Sequence, residues 1–251
     1  MSRRASTGRA VAAAAGLFTL AAAAAIEVDT RSYEGRTQAA IEEFRAAVAL
    51  EPDVAHGKEL FGGCAECHQA SGVGSADGTI PVIAGQHVSV LVKQLVDFRH
   101  DRRWHAKMQA AAKAHELTSP QDVLDVAAYA AGLRRPPPPR GGTGDGSSVQ
   151  EGQIVYYREC AQCHGRLAEG DLRTLRPRLA GQHYAYLMRQ LNETASGQRP
   201  GMDEAHVKRI GALSEAERSA VADHVSRLSP GFSSTNQNGT NQKGTLTFFE
   251  R

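Results

Sequence analysis

Two pentapeptides contain all four cysteines of the chain, and each places two thiols and an imidazole at a fixed spacing. The first, at residues 64–68, reads CAECH; the second, at residues 160–164, reads CAQCH and follows 96 positions later. In C-x-x-C-H, the two thiols can form thioether bonds to the vinyl groups of one porphyrin, and the adjacent imidazole binds the iron from one side. The sequence therefore predicts two covalently attached c-type haems.

A single C-x-x-C pair also occurs in thioredoxin-like redox centres and in zinc sites. A four-cysteine zinc site would not need His68 or His164 directly after the second cysteine, and its ligands would have to come from two separate halves of the chain. Thioether bonds would also consume the thiols that an oxidising compartment normally pairs as disulfides. The duplicated motif therefore favours haem.

The two halves resemble each other well beyond the motifs, at the same offset of 96. Pro81 corresponds to Pro177, and the segment AGQH at residues 84–87 recurs at residues 180–183. Three further pairs are Leu91 with Leu187, Arg103 with Arg199, and Leu117 with Leu213. The repeat predicts two similar all-α domains at residues 51–134 and 149–229.

Within each half, helical periodicity predicts the elements that would hold the cofactor. In the first half a helix is expected from about residue 88 to residue 100 and another from about 118 to 132. Capping boxes, Thr118 with Gln121 and Ser214 with Glu217, are expected to start the last helix of each half. We expect the stretch between the middle and last helices to be irregular.

The remaining segments of the chain are assigned from composition. Residues 1–25 are expected to be a secretory signal peptide, because arginines precede an apolar run of about 15 residues, whereas a membrane span needs about 20. An uncleaved anchor is the alternative. Residues 26–50 contain an amphipathic helix, expected to be a spacer or docking helix. Residues 135–148 form a Pro/Gly-rich linker, and this composition predicts that the two halves are loosely tethered. Residues 230–251 are polar and are expected to be a disordered tail.

Each iron needs a second axial ligand, and one methionine per half is a candidate for it. Met108 and Met202 both lie in the stretch expected to be irregular, whereas Met188 lies within a predicted helix and is expected to pack in the core. The alternative is a bis-histidine iron. The competing histidines are His105, His115 and His206.

On these motifs the chain resembles the di-haem cytochrome c4 family, in which two class I cytochrome c domains follow one another. The resemblance covers about residues 51–229 and implies an all-α fold with each domain wrapped around one haem. It also implies that the carbonyls of Pro81 and Pro177 orient the two proximal histidines. The haem-binding residues that it implies are Cys64, Cys67, His68 and Met108 for the first haem, and Cys160, Cys163, His164 and Met202 for the second. The iron ligands among these are His68, Met108, His164 and Met202.

The resemblance implies a periplasmic protein that carries single electrons between redox partners of a respiratory chain, such as a membrane oxidase or reductase. With a net charge of only +2, the composition gives no indication of nucleic-acid binding. One alternative is a cytochrome subunit of a dehydrogenase, for example a sulfide-oxidising flavocytochrome. Another is a di-haem enzyme such as a thiosulfate dehydrogenase, which would need an open or unusual axial position. No cysteine remains outside the haem motifs to serve as such a ligand.

Overall fold

The structure is a computed structural model that describes residues 26, 28, 37–114, 116–135 and 143–229. These residues form ten helices, and the only β-type pairing among them is a single bridge between Asp171 and Arg176. The predicted all-α class is therefore confirmed. The helices are α1 (Gln38–Val48), α2 (Val54–His68), α3 (Val88–Arg99), α4 (Ala106–Ala112), α5 (Pro120–Gly132), α6 (Val149–Glu159), α7 (Ala161–His164), α8 (Tyr184–Ala195), α9 (Glu204–Gly211) and α10 (Glu215–Arg227).

Several sequence assignments fall outside the described residues. These are the signal peptide or anchor at 1–25, the tail at 230–251, the proline-rich part of the linker at 136–142, and His115. Among the residues that are described, no helix is long and apolar enough to cross a membrane.

Capping boxes start the last helix of each half. Ser214 and Glu217 form the predicted box of α10. In the first half the prediction was off by one residue, because Ser119 and Asp122 form the box of α5 in place of Thr118 and Gln121. The Asp122 carboxylate accepts hydrogen bonds from both the Thr118 and Ser119 N–H groups, which the longer Gln121 side chain does not do. In each half the capping box thus provides hydrogen-bond acceptors for two backbone N–H groups that the helix itself leaves unpaired.

Crossed terminal helices form the core of each half. In the first, α2 packs closely against α5, and Gly57 makes this possible because a Cβ atom there would lie 2.0 Å from the Asp125 carbonyl oxygen. In the second, α6 packs against α10, and a Cβ atom on Gly152 would lie 1.9 Å from the Ala220 oxygen. One glycine in each half therefore allows the two helices to approach this closely.

The predicted amphipathic extension is a part of the first domain. The buried face of α1, formed by Ala40, Phe44 and Ala47, belongs to the same apolar core as α2, α3 and α5. The Glu43 carboxylate accepts hydrogen bonds from Arg99 and from His100 Nε2, the latter at 2.6 Å. Since α1 contributes both core residues and a half-buried ion pair, it docks on the first domain of its own chain.

The two halves are packed against each other by reciprocal hydrogen bonds. Gln182 accepts from the Val82 N–H at 2.9 Å and donates to the Val82 carbonyl at 2.8 Å. Gln86 makes the matching pair with the Arg178 N–H at 2.9 Å and the Arg178 carbonyl at 3.0 Å. Gln86 and Gln182 lie 96 positions apart, as do Val82 and Arg178. The prediction that the two halves are loosely tethered is wrong. It was based on the composition of the linker, which carries no information about hydrogen bonds between the two halves.

The two histidines of the repeated AGQH segment strengthen the same interface. The His87 ring nitrogen Nε2 lies 2.8 Å from the Glu169 carbonyl oxygen, and His183 Nε2 lies 2.8 Å from the Val73 carbonyl oxygen. Burial lowers the pKa of His87, so its ring is kept neutral and donates through Nε2–H. Each histidine also precedes the middle helix of its half, as its N-cap.

Candidate haem sites

The first C-x-x-C-H motif lies at the C-terminal end of α2, which continues through Gly62 and Gly63 to His68. The His68 imidazole is buried, with 6% of its surface exposed, and its Nδ1 lies 3.0 Å from the Pro81 carbonyl oxygen. A carbonyl only accepts, so Nδ1 carries the proton and Nε2 is left with a lone pair for a metal. The predicted role of the Pro81 carbonyl is confirmed.

A cavity in the first half brings the predicted binding residues together. Cys64, Cys67 and His68 line it, and so does Met108 of α4. The rest of the wall is mainly apolar. It includes Phe61, Ile83, Leu91, Leu95, Phe98, Leu117, Val126 and Ala130. An apolar slot with two thiols, an imidazole and a thioether on its walls suits a covalently held porphyrin with an iron at its centre.

All four thiols are free, as thioether formation requires. Burial, together with the neighbouring Cys67, raises the pKa of Cys64 to about 11. Burial also raises the pKa of Cys160 to about 12, with Glu159 adding to the effect. Cys64 and Cys160 therefore lack the lowered pKa of the activated thiolates in thioredoxin-like centres.

The second motif is built from α6 and the short α7. His164 Nδ1 lies 3.1 Å from the Pro177 carbonyl oxygen, which repeats the arrangement of the first half and confirms the second proline prediction. Burial is the main cause that lowers the pKa of His164 to about 4, so the ring is neutral and Nε2 is available. The His206 ring lies close by, with its centroid 6.3 Å from that of His164.

The predicted distal ligands occupy different positions in the two halves. Met108 lies in the first turn of α4, a helix that the sequence prediction had as irregular chain, and it lines the same cavity as His68. Met202 is half-buried and directly precedes Asp203, the N-cap of α9. Met188 packs against the second core, as predicted. His105 lines the first cavity, but its Nδ1 accepts a hydrogen bond from the Met108 N–H as the N-cap of α4.

A polar network joins the two halves beside the first cavity. Arg103 donates to the Tyr186 hydroxyl and to Gln190 Oε1, both at 2.7 Å. Burial, and then the charge of Arg103, lower the pKa of Arg199 to about 10. Burial opposes ionisation of Tyr186, but Arg103 and Arg199 together outweigh it and lower the pKa of Tyr186.

This half-buried positive charge suits the carboxylates that every haem carries at one edge. Arg103, Tyr186 and Arg199 all line the cavity, so the second half contributes to the surroundings of the first site. The sequence prediction did not include these residues among the binding groups. The pairing of Arg103 with Arg199 in the repeat was the signal that could have indicated them.

Comparisons with known proteins agree with this arrangement. The Cytochrome c family profile matches twice, at residues 54–133 and 149–229. A protein named cytochrome c4 from Thiocapsa roseopersicina is 32% identical over 178 residues, which cover 67% of this chain and 88% of the relative. A protein named thiosulfate dehydrogenase electron acceptor from Stutzerimonas stutzeri is 31% identical over 203 residues, which cover 72% of this chain and 90% of the relative.

Solved structures show the same fold. The crystal structure of reduced recombinant cytochrome c4 from Pseudomonas stutzeri superimposes with a TM-score of 0.63 at 24% identity, covering 71% of this chain and all of the other. The fold of this chain is therefore the fold of an experimentally determined structure.

Proposed function

Since the chain belongs to the cytochrome c family, and within it to the di-haem cytochrome c4 proteins, we propose that it shuttles single electrons in the periplasm from a dehydrogenase to a respiratory oxidase or reductase. Electron transfer by two covalently bound haems is the activity of this family. The bound haem iron supplies the one-electron couple, and the protein sets its potential and access. The compartment and the class of partner are the parts that the proposal adds.

The proposed binding residues follow from the geometry of the first cavity. Cys64 and Cys67 would hold the porphyrin, His68 would bind the iron on one face, and Met108 would close the other. In the second half Cys160, Cys163 and His164 would take the same roles as their counterparts in the first half. A thioether opposite an imidazole raises the reduction potential and leaves no position open for a substrate.

The observation that carries the proposal is that His68 and Met108 line the walls of one cavity. If both bound the iron, no coordination position would stay open. A carrier needs little rearrangement when it gains or loses an electron, whereas an enzyme needs an open or exchangeable coordination position. The half-buried side chains of Arg103, Tyr186 and Arg199 also line this cavity.

A direct test combines haem content with access to the iron. We expect two haems per chain, a low-spin ferric spectrum, and no binding of carbon monoxide to the ferrous protein. Met108→Ala should open one of the two irons to carbon monoxide and remove the sulfur-to-iron charge-transfer absorption of that haem. Met188→Ala is the matched control, since this methionine packs in the second core, and it should leave both properties unchanged.

Two results would contradict the proposal. One is carbon monoxide binding at the wild-type irons, which would show open sites. The other is oxidation of thiosulfate by the purified protein alone, which would make it the dehydrogenase itself.

A specific observation favours one kind of donor. A relative that is 31% identical, with 90% of its length covered, carries the name thiosulfate dehydrogenase electron acceptor. We therefore propose a sulfur-oxidising dehydrogenase as the electron donor. Rapid mixing of such an enzyme, thiosulfate and the ferric protein should reduce both haems, and omission of the enzyme should abolish the reduction.

A further inference from the structure

We propose that His206, and not Met202, is the distal ligand of the second haem iron, an inference that rests on the proposed function and specifies its second site. The His164 and His206 ring centroids are 6.3 Å apart, and the two ring planes are inclined by 63°. His206 is half-buried, and among the described residues no hydrogen bond involves its ring.

The separation matches that of two imidazoles on opposite sides of one metal ion. A metal–imidazole nitrogen bond is about 2.0 Å long, and the ring centroid lies roughly 1 Å beyond the nitrogen, so two opposed rings have centroids about 6 Å apart. In such an arrangement both ring planes contain the metal–nitrogen axis, and each ring can rotate about that axis. The inclination of 63° between the His164 and His206 rings is therefore compatible with two imidazoles bound to one metal ion. A direct edge-to-face ring contact would also fall within this range, and a second observation is therefore needed.

That observation is the position of each residue in its helix. Met108 is the third residue of α4, and its N–H donates to the side chain of the N-cap, His105. His206 is the third residue of α9, and its N–H donates to the side chain of the N-cap, Asp203, at 3.0 Å. His206 thus occupies the helix position from which Met108 lines the first cavity. Met202, by contrast, lies outside α9, before its N-cap.

The start of α9 is shifted relative to that of α4, which explains why the repeat pointed to Met202 in the sequence analysis. Arg103 and Arg199 match at an offset of 96, as do Leu117 and Leu213. Between these fixed points the N-cap moves from residue 105 to residue 203, two positions later than the offset predicts. The methionine of the second half consequently falls ahead of the helix, and a histidine takes its place.

Unequal ligation makes the two haems electronically different. Methionine raises the reduction potential relative to a second imidazole, so the second haem would have the lower potential of the two. Electrons would then move downhill from the second half of the chain to the first. The second half would accept electrons from the donor, and the first would pass them on.

Wild-type protein provides a test that needs no variant. Near-infrared magnetic circular dichroism of the ferric protein should show two low-spin charge-transfer bands, one typical of His/Met and one of bis-histidine ligation, in equal amounts. Two His/Met bands would overturn the inference while leaving a low-spin di-haem carrier, so the proposed function would stand. A high-spin haem that binds carbon monoxide would instead count against the proposed function.

Three variants complete the test. Met202→Ala should leave both bands and both midpoint potentials unchanged. His206→Met should double the His/Met band and raise the lower potential, and His206→Ala should abolish the bis-histidine band, with haem content measured in each case. Loss of half of the His/Met band in Met202→Ala, at full haem content, would establish Met202 as the ligand and refute the inference.

Discussion

At the scale of single residues, the contact between each motif histidine and a proline carbonyl could be predicted from the sequence, whereas the helices that hold the candidate distal residues could not. His68 and His164 each directly follow the second cysteine of their motif. The Nδ1 atom of each ring lies within hydrogen-bonding distance of the carbonyl oxygen of a proline 13 residues later. Those contacts depend only on local sequence. Met108 and His206, the residues that we propose at the distal positions, lie in separate short helices, and the second of these helices begins two positions later than the repeat predicts.

Glu217 gives a prediction of pH dependence. Its carboxylate accepts from Arg158 at 2.7 Å and from the Ser214 N–H at 2.9 Å, and these bonds, Arg158 first, lower its pKa from 4.5 to about 2. A lowered folded pKa means that the stabilisation is present above pH 4.5 and is lost as the pH falls towards about 2. In Glu217→Gln, the free energy of unfolding should therefore vary less with pH across this window.

Chemical denaturation at several pH values measures the effect of that substitution. Glu215→Gln is the matched control, because it removes the same charge from the same first turn of α10, and no capping hydrogen bond of the described chain involves it. If the two variants show the same pH profile, the capping contacts of Glu217 are not the cause.

At the scale of elements, the long helices followed from the sequence and the short ones did not. The predicted helix at 88–100 appears as α3 and the one at 118–132 as α5, because apolar periodicity and capping residues extend over three or more turns. By contrast, α4 and α9 have seven and eight residues, too few for periodicity to show. They were predicted as irregular chain, and they contain Met108 and His206, the residues that we propose as distal ligands.

The close crossing of α2 and α5 gives a second prediction. Gly57→Ala would place a Cβ atom 2.0 Å from the Asp125 carbonyl oxygen, so the helices would have to separate. We expect a loss of at least about 2 kcal/mol in the free energy of unfolding, measured by denaturation of the haem-loaded protein. The core behind the C-x-x-C-H motif would be disturbed in the same step.

Gly62→Ala is the control for that crossing. It lies in the same helix, and a Cβ atom there meets nothing within 4 Å. Alanine is favoured over glycine in a helix by about 0.5–1 kcal/mol, so this variant should be as stable as wild type or more stable. Equal destabilisation of both variants would show that the close approach at Gly57 does not set the helix spacing.

At the scale of the whole molecule, the sequence predicted two like domains but not how they meet. The repeat of 96 was visible in the segment AGQH, but no contact between the halves was predicted for its glutamines and histidines. They do precede α3 and α8, and they also bind backbone groups of the opposite half. Contacts between side chains and distant backbone leave no periodicity in the sequence, which is why the packing was missed.

The interface gives a third prediction. Gln182→Ala would leave both the N–H and the carbonyl of Val82 without their hydrogen-bond partner in a buried environment, at a cost of about 1–3 kcal/mol. We expect faster hydrogen exchange at the Val82 amide and separate thermal transitions for the two halves. Gln153→Ala, an exposed change in α6, is the control and should alter neither. A single unchanged transition in Gln182→Ala would show that the glutamine bonds do not couple the halves.

The reciprocal pattern of that interface resembles the contact between two identical subunits. In an isologous homodimer, residue i of one subunit contacts residue j of the other, and residue j of the first contacts residue i of the second. Gln86 with Arg178 and Gln182 with Val82 show the same exchange within one chain. The two halves are therefore arranged about an approximate two-fold axis. Positions that are equivalent in this arrangement can still differ, as Met108 in α4 and His206 in α9 do.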